Sequence, residues 1–101
     1  MRKANGSRRC AATKAIEKKI LPEFFEAVVR GDKTFEVRKD EDDVQVGDTI
    51  ILREWDGTSY TGRWTHVYVS YVLRNAERYG LMSGYCIFSV SRVSLRRVEK
   101  E

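Results

Sequence analysis

The sequence predicts an α+β domain that is mainly β, a small barrel of five to six short strands with one main α-helix. Three observations point there. Apolar and polar residues alternate over several short segments, which is the period of a strand with one buried face. One segment alone switches to helical spacing. The 101 residues suffice for one compact core, and short Val- and Ile-rich strands gain from closure because a barrel removes exposed edges.

Met1 to Ala12 is polar and basic and contains Asn5-Gly6-Ser7, so residues 1–12 read as a disordered leader. Thr13 to Ile20 alternates weakly and reads as a first strand. Pro22 opens the helix, where its missing N–H would have no partner anyway. Leu21, Phe24, Phe25 and Val28 form one apolar stripe. Arg30 and Gly31 close the helix, a cation near the C-terminus followed by a residue free to take positive φ.

After Gly31 the period becomes two. Phe35 and Val37 alternate with Glu36 and Arg38, and the apolar pair is expected to face the core. Asp40 to Asp43 form an acidic, solvated connection, Val44 and Val46 anchor it, and Gly47-Asp48 turns the chain. Thr49 to Trp55 reads as a buried strand, and Asp56-Gly57 marks a hairpin. Tyr60 to Leu73 is one long strand, with Trp64, His66, Tyr68, Ser70 and Val72 on one face and Thr65, Val67, Val69, Tyr71 and Leu73 on the other. Asn75 to Met82 is a loop or short helix, and Tyr85 to Val93 closes the sheet. The domain spans 13–95, and 96–101 is a frayed basic tail.

The net charge of +4 is unevenly placed. Residues 1–19 carry net +6 and residues 92–101 net +2, while 20–91 carry net −4. The basic ends offer non-specific attraction to phosphate, and the acidic middle argues against sequence-blind coating of nucleic acid. No apolar run approaches the ~18–20 residues of a membrane span. The first 19 residues lack the apolar stretch of a secretory signal. Two cysteines are too few for a disulfide framework, and none sits at metal-ligand spacing. The expectation is a cytoplasmic monomer with no cofactor, no metal and no membrane partner.

Gly31-Asp32-Lys33-Thr34-Phe35-Glu36-Val37-Arg38 fits the pattern G-x-K-x-x-E-x-R. This resembles the signature of the ASCH domain, a member of the PUA-like superfamily of small β-barrels. Ile20 to Phe25, Val46-Gly47-Asp48-Thr49, Leu52-Arg53-Glu54 and Gly84-Tyr85 are similar to a small uncharacterised ASCH-like family often encoded in phages and bacteria. The resemblance covers about residues 13–93. It implies an RNA-binding or nucleotide-handling module with a cleft beside the helix. Some bacterial relatives are amidohydrolases that remove an acyl group from the exocyclic nitrogen of a modified cytidine. Those relatives use a lysine at the position of Lys33, a threonine at the position of Glu36 and a further acid, for which Glu54 is the nearest candidate.

The residues carry the same chemistry on their own terms. Glu36 and Arg38 are two apart on a strand and share a face. A carboxylate accepts from an exocyclic amine, and a guanidinium offers a planar fork to phosphate or a base carbonyl. Lys33, just past the helix, can hold a phosphate or, in an enzyme, move a proton. Trp55, Tyr60 and Trp64, with Arg53 and Arg63 nearby, interleave rings and cations as a single-stranded nucleic-acid platform does. Tyr85 is a further candidate for the ligand site. Three readings follow. The first is a module binding RNA or a nucleotide-like ligand through Lys33, Glu36, Arg38, Arg53, Trp55, Trp64 and Tyr85. The second is an amidohydrolase for an acylated cytidine-like nucleoside using Lys33 and Glu36 or Glu54. The third is a protein-interaction module without a small ligand.

Overall fold

A computed structural model describes residues 13–92 of the chain. The leader of residues 1–12, the tail of residues 96–101 and the last three residues of the expected 13–95 domain lie outside the described residues.

The chain runs β1 (Ala15–Ile20), α1 (Pro22–Arg30), β2 (Phe35–Lys39), β3 (Thr49–Trp55), β4 (Tyr60–Leu73), a short 3-10 turn (Glu77–Tyr79) and β5 (Tyr85–Ser91). The strands form one sheet in the order β1-β3-β4-β5-β2. β1 lies parallel to β3, and the other neighbours are antiparallel. The five strands curl into a half-barrel rather than a closed barrel, with β1 and β2 as its two edges. α1 carries the chain from one edge to the other, and its buried Phe25 and Val28 pack with Ile50, Leu52, Val67, Val69, Phe88 and Val90 on the inner face.

The ends of α1 follow from its sequence. Pro22 sits in the first turn, and Gly31 caps the other end at φ 89°, donating its N–H to the carbonyls of Ala27 and Val28. The apolar stripe is split, however. Phe25 and Val28 are buried, while Leu21 and Phe24 stay largely exposed. The reason is spatial: these two face the gap between the sheet edges.

β2 has the opposite phase to the one expected from its apolar residues. Phe35 and Val37 are 47% and 46% exposed, whereas Glu36 is 2% exposed. The register sets this. Glu36 pairs with Phe88 and Arg38 with Cys86, and both of those β5 residues are fully buried. Residues directly opposite in a sheet share a face, so the core residues of β5 bring Glu36 and Arg38 inward.

β4 departs from a single alternation. A bulge between Val69 and Tyr71 leaves Ser70 as an extra residue, its hydroxyl bonded to that of Ser89. Before the bulge Val67 and Val69 point inward; after it Val72 packs against the core and Tyr71 is exposed.

The acidic connection is not merely solvated. Arg74 holds Asp40 at 2.8 Å and donates to the Val44 carbonyl, and Lys18 pairs with Asp42. Asp40 in turn raises the pKa of Arg74. Val44 is buried as expected, but Val46 is exposed. Gly47 takes φ 96°, and a Cβ there would lie 3.1 Å from the Thr13 methyl, so this turn is built for glycine.

Candidate functional site

The two sheet edges and the start of α1 enclose a cleft of about 390 Å³. β1 contributes Lys19 and Ile20, the helix start Leu21 and Phe24, and the segment after the helix Lys33 and Phe35 to Arg38. The walls are apolar, and the floor is charged. Pockets of this size with apolar walls and a few convergent polar groups are typical of small-ligand sites.

Glu36 is the centre of that floor. Its Oε2 accepts from Lys33 Nζ at 2.7 Å. Its Oε1 accepts from Arg38 Nε at 3.0 Å and lies 2.9 Å from Arg38 Nη2. Lys33 Nζ also donates to the Phe35 carbonyl at 2.7 Å and lies over the rings of Phe24 and Phe35. Lys33 reaches the carboxylate because Gly31 turns the chain sharply, and the Asp32 and Lys33 N–H groups both close on the Ala27 carbonyl. A carboxylate out of water is tolerated only with charge-assisted partners, and here it has two. Arg38 Nη1 has no protein partner among the described residues, so a donor is left for a ligand.

The motif residues Lys33, Glu36 and Arg38 are therefore brought together. The other sequence candidates lie elsewhere. Arg53 sits on the outer face, 3.9 Å over the Tyr60 ring and paired with Glu17. Trp55 meets Tyr60 edge to face at 5.0 Å, with Lys19 Nζ 3.9 Å above it. These two rings serve each other and their cations. Trp64 is 60% exposed on the outer face, opposite Arg53, and continues into His66 and Tyr68. Tyr85 pairs with Lys39 beyond the end of the cleft. Cys86 is fully buried, and burial pushes its thiol pKa up, as fits a small core residue.

Glu54 belongs to a second charged group. It is buried on the inner face and accepts from Thr61 Oγ1 at 2.6 Å and from Arg63 at 2.8 and 2.9 Å. Arg63 also holds Glu26 of α1 and lies over Phe25. Arg63, then Thr61, hold the Glu54 carboxyl below the ordinary value of 4.5. A depressed carboxyl stabilises the fold above its unfolded pKa, and the contribution disappears as pH falls through the folded value. Urea midpoints of wild type should therefore fall below about pH 4.5, and Glu54→Gln should show a shallower fall. Equal slopes for the two proteins would remove Glu54 from the acid response.

Sequence reasoning missed the walls: Lys19, Leu21, Phe24, Phe35 and Val37. The only available signal was that Leu21 and Phe24 precede Phe25 and Val28 on a stripe wider than one helix needs to bury in so small a core.

A family model described as a domain of unknown function, DUF3850, matches residues 16–90. The chain belongs to the DUF3850 family. The matched segment of this DUF3850 domain contains every residue that lines the cleft. The chain is also 40% identical over 50 residues to an "Uncharacterized 12.9 kDa protein in GpA 3'region" of Escherichia phage P2. That alignment covers 50% of this chain and 46% of the phage protein, so the DUF3850 domain spans about half the length of the curated relative it matches. Among the described residues, no helix is long and apolar enough to cross a membrane.

Proposed function

We propose that this DUF3850 domain binds RNA or a nucleotide-like ligand by taking a base into the cleft between β1, α1 and β2. One observation carries the reading: the nearly buried Glu36 carboxylate, clamped by Lys33 and Arg38, at the floor of an apolar-walled cleft. A buried ion group is weak evidence for stability and is often retained for another reason. Its chemistry suits a heterocycle. The carboxylate accepts from a base N–H, Arg38 Nη1 donates to a ring nitrogen or carbonyl, and Phe24 and Phe35 offer surfaces to a flat ring. The resemblance to the ASCH domain of the PUA-like superfamily supports the same reading. It assigns RNA or nucleotide handling to a cleft beside the helix.

The test is fluorescence anisotropy with a short labelled single-stranded RNA. Arg38→Ala is expected to weaken binding by about tenfold or more, since a charge-assisted contact to a base is worth ~1–3 kcal/mol. Added salt should weaken it further in proportion to the phosphates neutralised. Affinity unaffected by Arg38→Ala would overturn the reading.

The 2.7 Å contact between Lys33 Nζ and Glu36 Oε2 favours a second reading, hydrolysis of an acylated cytidine-like nucleoside with Lys33 and Glu36 in proton transfer. Glu54, bound by Arg63 and Thr61, is not placed to share it. Wild type that leaves such a substrate intact, under conditions where its binding is saturated, would eliminate this reading.

A further inference from the structure

Lys33 lines two cavities. Besides the cleft, it borders a smaller one of about 260 Å³ between the end of α1 and the last residues of β5, where Thr34, Ser91 and Arg92 contribute polar groups and Val28, Val67 and Val90 the apolar wall. The two cavities differ in how their charged groups are engaged. On the cleft floor the Glu36 carboxylate already takes the Lys33 ammonium and the Nε and Nη2 of Arg38. Among the described residues the smaller cavity has no carboxylate in its lining, and its two charged residues, Lys33 and Arg92, are both cations. Arg92 spends one nitrogen on the Val29 carbonyl at 3.2 Å, which anchors the side chain against the helix end, and its other guanidinium N–H groups have no protein partner among the described residues, which leaves them for a ligand.

We propose that the smaller cavity is a phosphate site and that the ligand is a phosphorylated nucleoside spanning both cavities, with its base against Glu36 and Arg38 and its phosphate against Arg92 and Thr34. This rests on the cleft being a base site. It adds that the phosphate goes to the cavity without a carboxylate, and that Lys33 sits at the junction. A phosphate oxygen accepts from a guanidinium fork and from a hydroxyl, and both donor types are present. The phosphate can be a terminal monoester or the diester of a longer strand, and the two share this chemistry.

The experiment is an amide NMR titration of the full chain with the four common ribonucleosides, their 5′-monophosphates and a matching dinucleotide, each singly. At least one monophosphate or dinucleotide should bind about tenfold or more tighter than its own nucleoside, the size of one or two charge-assisted contacts. Shifts should spread from the cleft residues Phe35–Arg38 to Thr34, Ser91 and Arg92 of the smaller cavity. Arg92→Gln should bring that affinity ratio close to one. A gain seen with the dinucleotide alone supports the diester as the source. Equal affinity of nucleosides and phosphorylated ligands would overturn the phosphate site and leave the base site standing. So would a phosphate gain that survives Arg92→Gln, because the basic ends of the chain would then be its source. If no nucleoside and no phosphorylated ligand moves the Phe35–Arg38 amides, the base site itself fails.

Discussion

Asp48→Ala is expected to lower stability by about 3 kcal/mol, the size expected when buried donors lose their acceptor. Asp48 is 1% exposed and lies immediately before β3. Its carboxylate accepts from the Lys14 N–H at 3.0 Å, the Lys14 ammonium at 2.8 Å and the Gln45 N–H at 2.8 Å. These bonds tie the segment entering β1 to the turn entering β3, where the parallel pair Ala15–Thr49 begins. Alanine leaves two backbone N–H groups without acceptors in a partly buried site. Lys14 is half exposed and contributes little as an ion pair, so the cost comes mainly from the backbone donors. With a urea m-value of ~1–3 kcal/mol/M, the midpoint should fall by about 1 M or more. Asp48→Asn keeps one carbonyl acceptor and should cost less. A midpoint within about 0.3 M of wild type for Asp48→Ala would show that β1 is held by its ladder alone.

The same residue marks a boundary of what the sequence makes legible. Val46-Gly47-Asp48 is readable as a turn, because glycine followed by a short acid favours one. That Asp48 reaches back 34 positions to Lys14 is not readable, since nothing local encodes a parallel β1–β3 pairing. The helix is legible to the residue, because Pro22 and Gly31 each act through their own backbone chemistry. The phase of β2 is not. A period of two says that Glu36 and Phe35 face opposite ways and leaves open which faces in; the partner strand decides, through Phe88 and Cys86. A reader who puts apolar residues inside chooses Phe35 and Val37, and the choice fails because the pairing with Phe88 and Cys86 turns Glu36 and Arg38 to the inner face. The bulge at Ser70 defeats the long alternation of β4 for a related reason: one inserted residue reverses every later side chain.

For the site, the motif residues converge because they lie within six positions around one turn, where spacing alone constrains distance. The aromatics near the hairpin are equally visible in sequence, but their neighbours decide their use. Trp55 and Tyr60 are cross-strand partners, and Trp64 pairs with Arg53 on the outer face. The cleft walls come from two sheet edges that never pair, and strand order is the last thing a single sequence discloses.

Removing the three motif charges together should separate fold from function. In Lys33→Met, Glu36 keeps only Arg38 and remains buried, so a loss of about 2 kcal/mol is expected, somewhat below the 3–5 kcal/mol for a fully buried pair because Lys33 is partly open to water. The triple variant Lys33→Met, Glu36→Leu, Arg38→Met removes the stranded carboxylate along with both cations. Apolar replacement of a whole buried ion group is commonly neutral or stabilising, by about 1–4 kcal/mol. The triple variant is therefore expected to match or exceed wild type in its urea midpoint, while losing the RNA binding proposed for the cleft. That pattern would mean the charges cost stability and are kept for what they hold. A triple variant less stable than Lys33→Met would mean the reverse. Glu36 would then be a clamp fastening the end of α1 to β2 through Lys33, and the apolar walls around it would be the open seam of a half-barrel rather than the sides of a binding site.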